Sequence, residues 1–389
     1  MKIFVLLPRI PYPLEKGDKL RAFNHVKHLS ESNEIILCAL NDTKIDKQNA
    51  FQAVQPYVSS VTFIDRSWFC RFVNLIKAFF NGKPLQLGYF YSKKAKKKIR
   101  RIIDENQPDH LFCQLVRTAE YIKDLDIPKT IDYQDVFSKG VERRIHTASF
   151  ILKPFLRMEY RRLLKYEHMI FDHFDHKVII SKPDRDLIPH PKKENIHIIM
   201  NGVDTGFFKP VERPKDYDLV FTGNMAYPPN VNAVEYIAKK ILPLIRKHKP
   251  DIRILISGAT PDKRVRAVES KNIHVGGWVD DIRDSYARAK IFIAPMQIGT
   301  GLQNKLLEAM AMKIPCITSS LANKALEAKP MQDILIGNDP CDYADHIVSL
   351  LEDRNFANAI AENGYAFVHR HYNWQSQTDK LEQIIKSGS

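Results

Sequence analysis

Two side chains of opposite charge, Lys305 and Glu308, follow a glycine-containing loop late in the chain. Gly299 and Gly301 lack a Cβ atom, so the backbone there can turn sharply and approach a ligand closely. A helix that begins near Gln303 would direct unpaired N–H groups and a positive dipole toward an anion, and Lys305 adds a full charge. Glu308 follows on the same side of the helix, where its carboxylate can accept hydrogen bonds from ribose. The stretch therefore predicts a nucleoside diphosphate site.

The same stretch also has an interpretation without chemistry. It can be a capped amphipathic helix that packs Leu306, Leu307, Met310 and Ala311 into a core. Because a Gly-x-Gly pair and a helical glutamate are both common, the spacing alone leaves the two interpretations equal.

Apolar stretches that are typical of buried strands alternate with helical stretches in both halves of the chain. Residues 2–7 and 34–40 flank a loop and a helix, which together form a βαβ unit of a parallel sheet. In the second half, two predicted strands end at Gly223 and Gly258. Two successive blocks of this kind predict an α/β protein with two Rossmann-like domains.

Polar side chains follow several predicted strands, at the edge where open parallel sheets bind ligands. Gly17, Asp18 and Arg21 come after the first strand, and the guanidinium of Arg21 could bind a phosphate. Asp132 and Asp135 come just past a later strand and are candidates for contact with an acceptor. The alternatives are helix N-caps at Asp18 and at Asp135.

The composition limits the classes of function. With 389 residues the chain can form two domains, and its five cysteines are scattered without a Cys-x-x-Cys pair, which favours a reduced cytosolic protein and not a metal cage. There is no apolar run of about 18 residues that could span a bilayer. The formal net charge of +14 indicates an anionic partner, and lipid, nucleic acid and nucleotide phosphates all qualify.

An apolar stripe with helical spacing lies in residues 67–80, and a basic cluster follows at 93–101. An aromatic amphipathic helix beside basic residues suits attachment to an anionic membrane surface. The alternative is a core-packed helix beside a solvated basic helix face. We therefore expect a cytoplasmic protein that could also bind peripherally to the inner face of the cytoplasmic membrane.

Several stretches of the sequence resemble the retaining GT-B-type glycosyltransferases of family four. Residues 308–315 (EAMAMKIP) resemble the Glu-Ala-Met-Ala-x-x-x-Pro run of these enzymes, and residues 201–210 (NGVDTGFFKP) resemble their hinge phrase. Residues 11–21 and 299–312 are similar in sequence to a subgroup of these enzymes that is associated with bacterial exopolysaccharide synthesis. The resemblance covers nearly the whole chain.

The resemblance implies a GT-B architecture, with two facing Rossmann-like domains and a C-terminal helix that crosses back to the first. Residues 1–208, joined by the crossing helix 373–389, would form the acceptor-side domain. Residues 209–372 would form the nucleotide-sugar donor domain.

The resemblance also implies an activity: transfer of a sugar, with retention, from a nucleotide-diphosphate donor to a glycan or lipid-linked acceptor in the synthesis of cell-surface polysaccharides or glycoconjugates. Glu308 would hold the donor ribose, and Lys305 would stabilise the departing diphosphate. Asp18 and Arg21 would close on the diphosphate and the transferred sugar from the other domain. No metal ion or other cofactor is implied. The residues expected to bind the donor are Gly17, Gly223, Asn224, Gly258, Trp278, Val279, Gly299, Thr300, Gly301, Leu302, Gln303 and Asn304.

Some positions depart from the family pattern. Thr300 replaces the first glutamate of the family motif and would face the donor sugar. The loop 223–230 lacks the Arg and Lys that grip the diphosphate in relatives. The segment 277–279 resembles the one whose backbone contacts the nucleobase, although Trp278 could instead pack into a core.

Two other functions stay open at this point. A GT-B-like nucleotide-sugar epimerase would convert the donor without an acceptor. A non-catalytic basic protein would bind membrane or nucleic acid, although no nucleic-acid partner is expected for the transferase. Asp-x-Asp pairs occur at 124–126, 184–186 and 216–218, and three matches in one chain are too common a pattern to predict a metal site.

Overall fold

The chain forms two compact units. The computed structural model describes residues 1–14, 16–41, 45–299 and 301–387. One unit consists of Met1–Met200 with Trp374–Ser389, and the other of Asn201–Asn373. The boundary drawn from the sequence, after residue 208, lies a short way beyond the first of these divisions. Among the described residues, no helix has both the length and the apolar character needed to cross a bilayer.

Each unit is built on one parallel sheet. The first sheet contains β1 (Lys2–Leu7), β2 (Glu34–Asn41), β3 (Ser60–Asp65), β4 (His110–Gln114), β5 (Lys129–Asp132), β6 (His176–Ile179) and β7 (His197–Ile198). The second sheet contains β8 (Tyr217–Thr222), β9 (Ile254–Ser257), β10 (Ile273–Gly277), β11 (Ala289–Ala294), β12 (Cys316–Thr318) and β13 (Leu335–Ile336). The strand orders are β3-β2-β1-β4-β5-β6-β7 and β10-β9-β8-β11-β12-β13.

Helices cover the sheets. Those of the first half are α1 (Gly17–Leu29), α2 (Lys47–Val54), α3 (Trp68–Phe80), α4 (Leu85–Phe90), α5 (Lys93–Asn106), α6 (Val116–Ala119), α7 (Phe137–Thr147), α8 (Lys153–Phe171) and α9 (Lys182–Asp186). Those of the second half are α10 (Pro228–Tyr236), α11 (Leu242–Ile245), α12 (Lys263–Arg266), α13 (Ile282–Ala287), α14 (Asn304–Ala311), α15 (Ser320–Leu326), α16 (Pro340–Glu352), α17 (Arg354–His371) and α18 (Trp374–Lys386).

The parallel pairing follows from the sequence of the strands. β1 is almost entirely apolar and buried, as expected for a strand with helices on both faces of its sheet. Its residue Ile3 pairs with Ile35 of β2 and with His110 of β4, both in parallel register. The predicted α/β class with two parallel sheets is confirmed, and so are the two predicted strands that end at Gly223 and Gly258.

The last helix belongs to the first unit. Leu381 and Ile385 of α18 are fully buried in the same core as Ala22 and Val26 of α1. The ring of His25 lies 3.0 Å from the hydroxyl of Thr378 (Nδ1 to Oγ1). The predicted crossing helix is therefore present.

The structure divides one expected helical region. The sequence favours a continuous helix over 142–171, but α7 ends at Thr147 and α8 begins at Lys153. Pro154 lies in the first turn of α8, where a missing N–H is tolerated, and its ring would disrupt a helix that continued through it. The break leaves residues 148–152 as the connection between the two helices.

A buried ion pair ties α1 to the sheet of the first unit. Arg21 and Asp132 are both completely buried, and the guanidinium donates from Nε to Oδ2 at 2.6 Å. Arg21 also donates from Nη1 to the carbonyl oxygen of Ile199 at 2.8 Å. The sequence suggested separate substrate contacts for these two residues. In the structure they bind each other, and the pair links α1 to the sheet.

We expect Asp132→Ala to lower the free energy of unfolding by about 3–5 kcal/mol, because it leaves the buried Arg21 charge without its partner. Urea unfolding of the full chain measures the change. The control is Asp135→Ala, three residues away and exposed, which should change stability by less than about 0.5 kcal/mol. Equal effects of the two substitutions would contradict a structural ion pair.

Candidate functional site

Helix α14 begins as the sequence predicted, directly after Gln303. The side chain of Gln303 donates from Nε2 to the carbonyl oxygen of Gly301 at 2.9 Å and so closes the loop before the helix. Leu306, Leu307 and Met310 are buried, which is the packing that the interpretation without chemistry requires. That interpretation leaves Lys305 and Glu308 unexplained, since both are only half-buried.

The amine of Lys305 lies in an unusual environment. Its Nζ donates to Oδ1 of Asn230 at 2.5 Å and lies 4.2 Å from the centroid of the Phe221 ring. Within the described part of the chain, its one hydrogen bond is therefore to a neutral amide. Burial lowers the pKa of Lys305 to about 7, and the nearby carboxylate of Glu308 only partly opposes this shift. An anion bound here would restore the full charge.

Tyr286 fixes the carboxylate of Glu308. The hydroxyl lies 2.7 Å from Oε2 of Glu308 and 2.8 Å from Oγ1 of Thr222, and the tyrosine is completely buried. Burial raises the pKa of Glu308, while the Tyr286 hydroxyl and the Lys305 charge act in the opposite direction. The sequence analysis missed Tyr286. No sequence motif marks this residue; in the structure its ring packs edge-on, at 6.4 Å between centroids, against Phe208.

The two glycines at the strand ends are required by close packing. Gly223 and Gly258 have φ values of +145° and +144°. A Cβ atom on Gly258 would lie 1.7 Å from the carbonyl oxygen of Gly223. A Cβ atom on Gly223 would lie 2.7 Å from Nδ2 of Asn230 and 3.1 Å from Nζ of Lys305. The absence of side chains at these positions keeps the Asn230–Lys305 contact in place.

The loop after β10 lies next to this packing. Gly258 donates its N–H to the carbonyl oxygen of Gly277 at 2.7 Å. Trp278 follows with 70% of its surface exposed, and Val279 is half-buried. The alternative that Trp278 packs into a core is therefore wrong.

The remaining expected donor residues differ in what they contact. Asn224 accepts two hydrogen bonds. The Ala226 N–H donates to its Oδ1 at 2.9 Å, and Nδ2 of Asn230 donates to its backbone carbonyl oxygen. Asn304 Oδ1 is buried and has no hydrogen-bond partner among the described residues, so it is an acceptor that a ligand hydroxyl could satisfy. Gly299 adopts φ +99°.

The loop before α14 has three more expected donor residues. Gly301 is exposed and Leu302 is half-buried. Thr300 lies outside the described residues.

In the first unit, the expected site residues are tied to the scaffold. Asp18 accepts a hydrogen bond from Arg9 Nη1 at 2.5 Å, and only 14% of its side chain is exposed. The helix N-cap is Lys16, not Asp18, and Gly17 is the first helical residue. Asp135 is exposed and accepts the N–H of Val136 at 2.7 Å without capping α7.

Two residues that the sequence analysis missed lie at the carboxyl ends of β4 and β5. Leu115 and Gln134 adopt φ values of +64° and +57°, which are unfavourable for residues with a side chain. Gln134 is also buried, and its Nε2 has no hydrogen-bond partner within the described ranges. Backbone strain of this kind is concentrated at functional sites. No sequence pattern marks either residue.

Comparison with known proteins gives a family match for part of the chain and a fold match for nearly all of it. Residues 216–353, which lie within the second unit, match the family described as Glycosyl transferases group 1. The two parallel sheets with their helices match the GT-B fold of solved glycosyltransferase structures. The family match and the fold together support a GT-B glycosyltransferase.

Individual relatives are distant in sequence. An uncharacterized 44.6 kDa protein in the cps region of Klebsiella pneumoniae is 23% identical, over 95% of this chain and 96% of its own. The GDP-mannose-dependent monoacylated alpha-(1-6)-phosphatidylinositol monomannoside mannosyltransferase of Corynebacterium glutamicum is 25% identical, over 38% of this chain and 42% of its own. The structure of Anabaena Alr3699/HepE in complex with UDP gives a TM-score of 0.71 at 13% identity, over 100% of both chains.

We expect Tyr286→Phe to weaken nucleotide binding about tenfold, since a hydrogen bond to a charged group contributes about 1.5 kcal/mol or more. Isothermal titration with UDP, GDP and ADP measures the affinity. The matched control is Tyr372→Phe, which removes another buried hydroxyl of the same unit, bonded to the Leu326 carbonyl at 2.6 Å. Both variants should lose stability, but only the first should lose affinity; an equal loss of affinity in both would contradict the positioning of Glu308 by Tyr286.

Proposed function

We propose that this chain is a retaining glycosyltransferase that moves a sugar from a nucleotide-diphosphate donor to a glycan or lipid-linked acceptor. Its pathway would be the synthesis of cell-surface polysaccharide or glycoconjugate. One observation carries the proposal: a half-buried cation and a fixed carboxylate, Lys305 and Glu308, share the first turns of α14. This pair lies in the segment that matches the glycosyl transferase family.

The donor would bind with its nucleoside on Glu308 and its diphosphate on Lys305. The carboxylate of Glu308 accepts hydrogen bonds from the two ribose hydroxyls, and Tyr286 holds it in a fixed orientation. The Lys305 amine and N–H groups at the start of α14 would face the diphosphate. The crossing of the loops at Gly223 and Gly258 holds Asn230 against the amine. The binding of UDP by Alr3699/HepE, which has the same fold, supports this class of ligand.

Transfer would proceed by attack on the face from which the diphosphate leaves. An acceptor hydroxyl oxygen forms the new bond to the anomeric carbon as the bond to the diphosphate oxygen breaks. The proton of the hydroxyl passes to a leaving phosphate oxygen, so no carboxylate nucleophile is needed. Lys305 stabilises the negative charge that develops on the diphosphate. The proposal includes no step through a metal ion.

The acceptor would bind at the carboxyl edge of the first sheet. Asp135 is exposed there, and the strained residues Leu115 and Gln134 follow the neighbouring strands β4 and β5. The relatives favour an acceptor of the cell envelope, since one is encoded in a cps region and another is described by a lipid-linked mannose acceptor. We place the reaction at the cytoplasmic face of the membrane.

The first experiment is a thermal-shift screen with UDP, GDP, ADP and CMP and their common sugars. One nucleoside diphosphate should stabilise the protein, by about 2.7 kcal/mol at a hundredfold excess over its Kd. Glu308→Gln keeps the size of the side chain and removes its charge. It should weaken binding by tenfold or more, because hydrogen bonds from ribose to a charged acceptor are lost.

The control variant is Glu362→Gln, an exposed glutamate of the same unit, which should keep the full shift. With the stabilising donor and an acceptor, NMR of the product formed in the presence of EDTA should show a retained anomeric configuration. No shift with any nucleotide, or an inverted product, would reject the proposal.

Diphosphate binding should depend on pH through Lys305. Only the protonated amine attracts the anion, and its pKa in the free protein is about 7. The affinity is therefore expected to fall by up to about tenfold per pH unit above pH 7, and to level off below pH 7 where the amine is already charged. The ligand adds little to this slope, since a terminal phosphate with a pKa near 6 is already ionised.

Lys305→Arg separates this effect from others, because a guanidinium stays protonated over the whole range. Titrations between pH 6 and pH 9 should give a much smaller slope for the variant than for the wild type. Equal slopes in the two proteins would exclude Lys305 as the titrating contact of the diphosphate.

A further inference from the structure

Helix α3 turns its apolar face outward. Every side chain on an arc of about one third of the helix is a large apolar residue, as follows from 100° per residue. These side chains are exposed to between 38% and 79%. They are Trp68, Phe69, Phe72, Ile76, Phe79 and Phe80. An ordinary surface helix has the opposite orientation, with its apolar stripe toward the core.

The polar face of α3 holds this orientation. Arg71 donates from Nη1 to the hydroxyl of Tyr89 at 2.6 Å, and Asn74 donates from Nδ2 to the carbonyl oxygen of Tyr91 at 2.7 Å. Between these contacts Ala78 is buried against Gly88, where a Cβ atom would lie 2.4 Å from that of Ala78. A rotation of the helix that buried its aromatic face would break all of these contacts.

A second exposed apolar segment lies at the start of α8, a helix that contacts the carboxyl end of α3. Phe150, Ile151, Leu152 and Phe155 are each more than half exposed, and they lie in the break before α8 and in its first turn. Further along α8, Arg162 donates from Nη2 to the Phe79 carbonyl oxygen at 2.9 Å. The amino end of α8 therefore extends from a point fixed to the carboxyl end of α3.

A basic groove adjoins the same region. Tyr91, which accepts the bond from Asn74 of α3, stacks on Tyr121 at 5.6 Å between ring centroids. The two rings line a cavity of about 480 Å³, together with cationic side chains of α5. The cations are Lys93, Lys96, Lys97 and Arg100, and one carboxylate, Asp124, pairs with Lys96 at 3.5 Å, so cations remain in excess. A groove of this size and charge suits phosphate-bearing headgroups.

The charge around the apolar surface selects its partner. Lys77 is exposed beside the aromatic arc, and α5 carries a run of exposed lysines and arginines. A second copy of this chain would bring these like charges together, which is unfavourable. An anionic bilayer instead accepts aromatic side chains at its interface and attracts the surrounding cations.

We propose that the apolar surface of α3 and residues 150–155 inserts into the interface of an anionic phospholipid bilayer, and that the α5 groove binds its phosphate headgroups. The inference deepens the proposed function, on which it rests only for the identity of the acceptor: it names the surface that brings the enzyme to a lipid-linked acceptor.

The experiment is flotation of the full chain with vesicles of phosphatidylcholine, with and without phosphatidylglycerol. The wild type should float with the anionic vesicles and not with phosphatidylcholine alone. Phe72→Ser/Phe80→Ser should lower the partition coefficient at least tenfold, and Lys93→Gln/Lys97→Gln by about fivefold for each charge removed. Urea unfolding of each variant checks that it is folded.

The matched control variants should have the same partition coefficient as the wild type. Phe51→Ser/Leu187→Ser removes two exposed apolar residues elsewhere in the first unit, and Lys240→Gln/Lys324→Gln removes two exposed charges of the second. Equal losses in variants and controls would overturn the proposal. So would equal flotation on both kinds of vesicle, or a concentration-dependent dimer that Phe72→Ser/Phe80→Ser abolishes without vesicle binding by the wild type.

The same preparation separates this inference from the proposed function. Flotation on anionic vesicles without stabilisation by any nucleotide would support the docking surface and reject the transferase. Stabilisation by a nucleoside diphosphate without flotation would support the transferase and reject the docking surface.

Discussion

The central constraint of the second unit is that α14 must satisfy two environments at once. Its buried face packs Leu306 and Leu307 into the core, while Lys305 and Glu308 are withdrawn from most of the solvent. Desolvation disfavours both charges, so the cation has its pKa lowered and the carboxylate has its pKa raised. The surrounding residues compensate only in part. The site therefore remains deficient in negative charge beside the amine, which is the condition for binding an anion.

Each unit contains a desolvated cation, and the two cations have different partners. The difference distinguishes a structural ion pair from a candidate binding group. Arg21 is paired with the carboxylate of Asp132 and is fully buried, so its charge is neutralised within the protein. Lys305 has a neutral amide partner, Asn230, and an aromatic ring. Burial of a cation without a carboxylate partner costs free energy, and the contact with an aromatic ring offsets this cost only in part. The environment of Lys305 is explained if a bound ligand supplies the negative charge. Arg21 needs no such ligand, because Asp132 already supplies a carboxylate.

The sequence correctly predicted the features that depend on local sequence patterns. Strands, the loop before α14 and the pair Lys305–Glu308 depend on periodicity, glycine and spacing along one helix. Tyr286 and Asp132 could not be assigned in this way, because each acts through a residue brought near by the fold: Glu308 lies 22 positions from Tyr286, and Arg21 lies 111 from Asp132. The break before α8 was also missed. The sequence analysis placed Pro154 inside one long helical region, whereas in the structure it lies in the first turn of a new helix.

Helix α3 illustrates a further limit of sequence periodicity. The spacing of its aromatic residues defines a stripe, but the same stripe is equally suited to a core and to an interface. The polar residues of the helix determine which of the two orientations it adopts. Arg71 and Asn74 have partners on the protein, Tyr89 and the Tyr91 backbone, and these bonds can form only when the polar face points inward. The tertiary contacts of the polar residues thus determine that the apolar residues remain outside, and this outward aromatic face beside a basic groove is the observation on which the proposed lipid-docking surface rests.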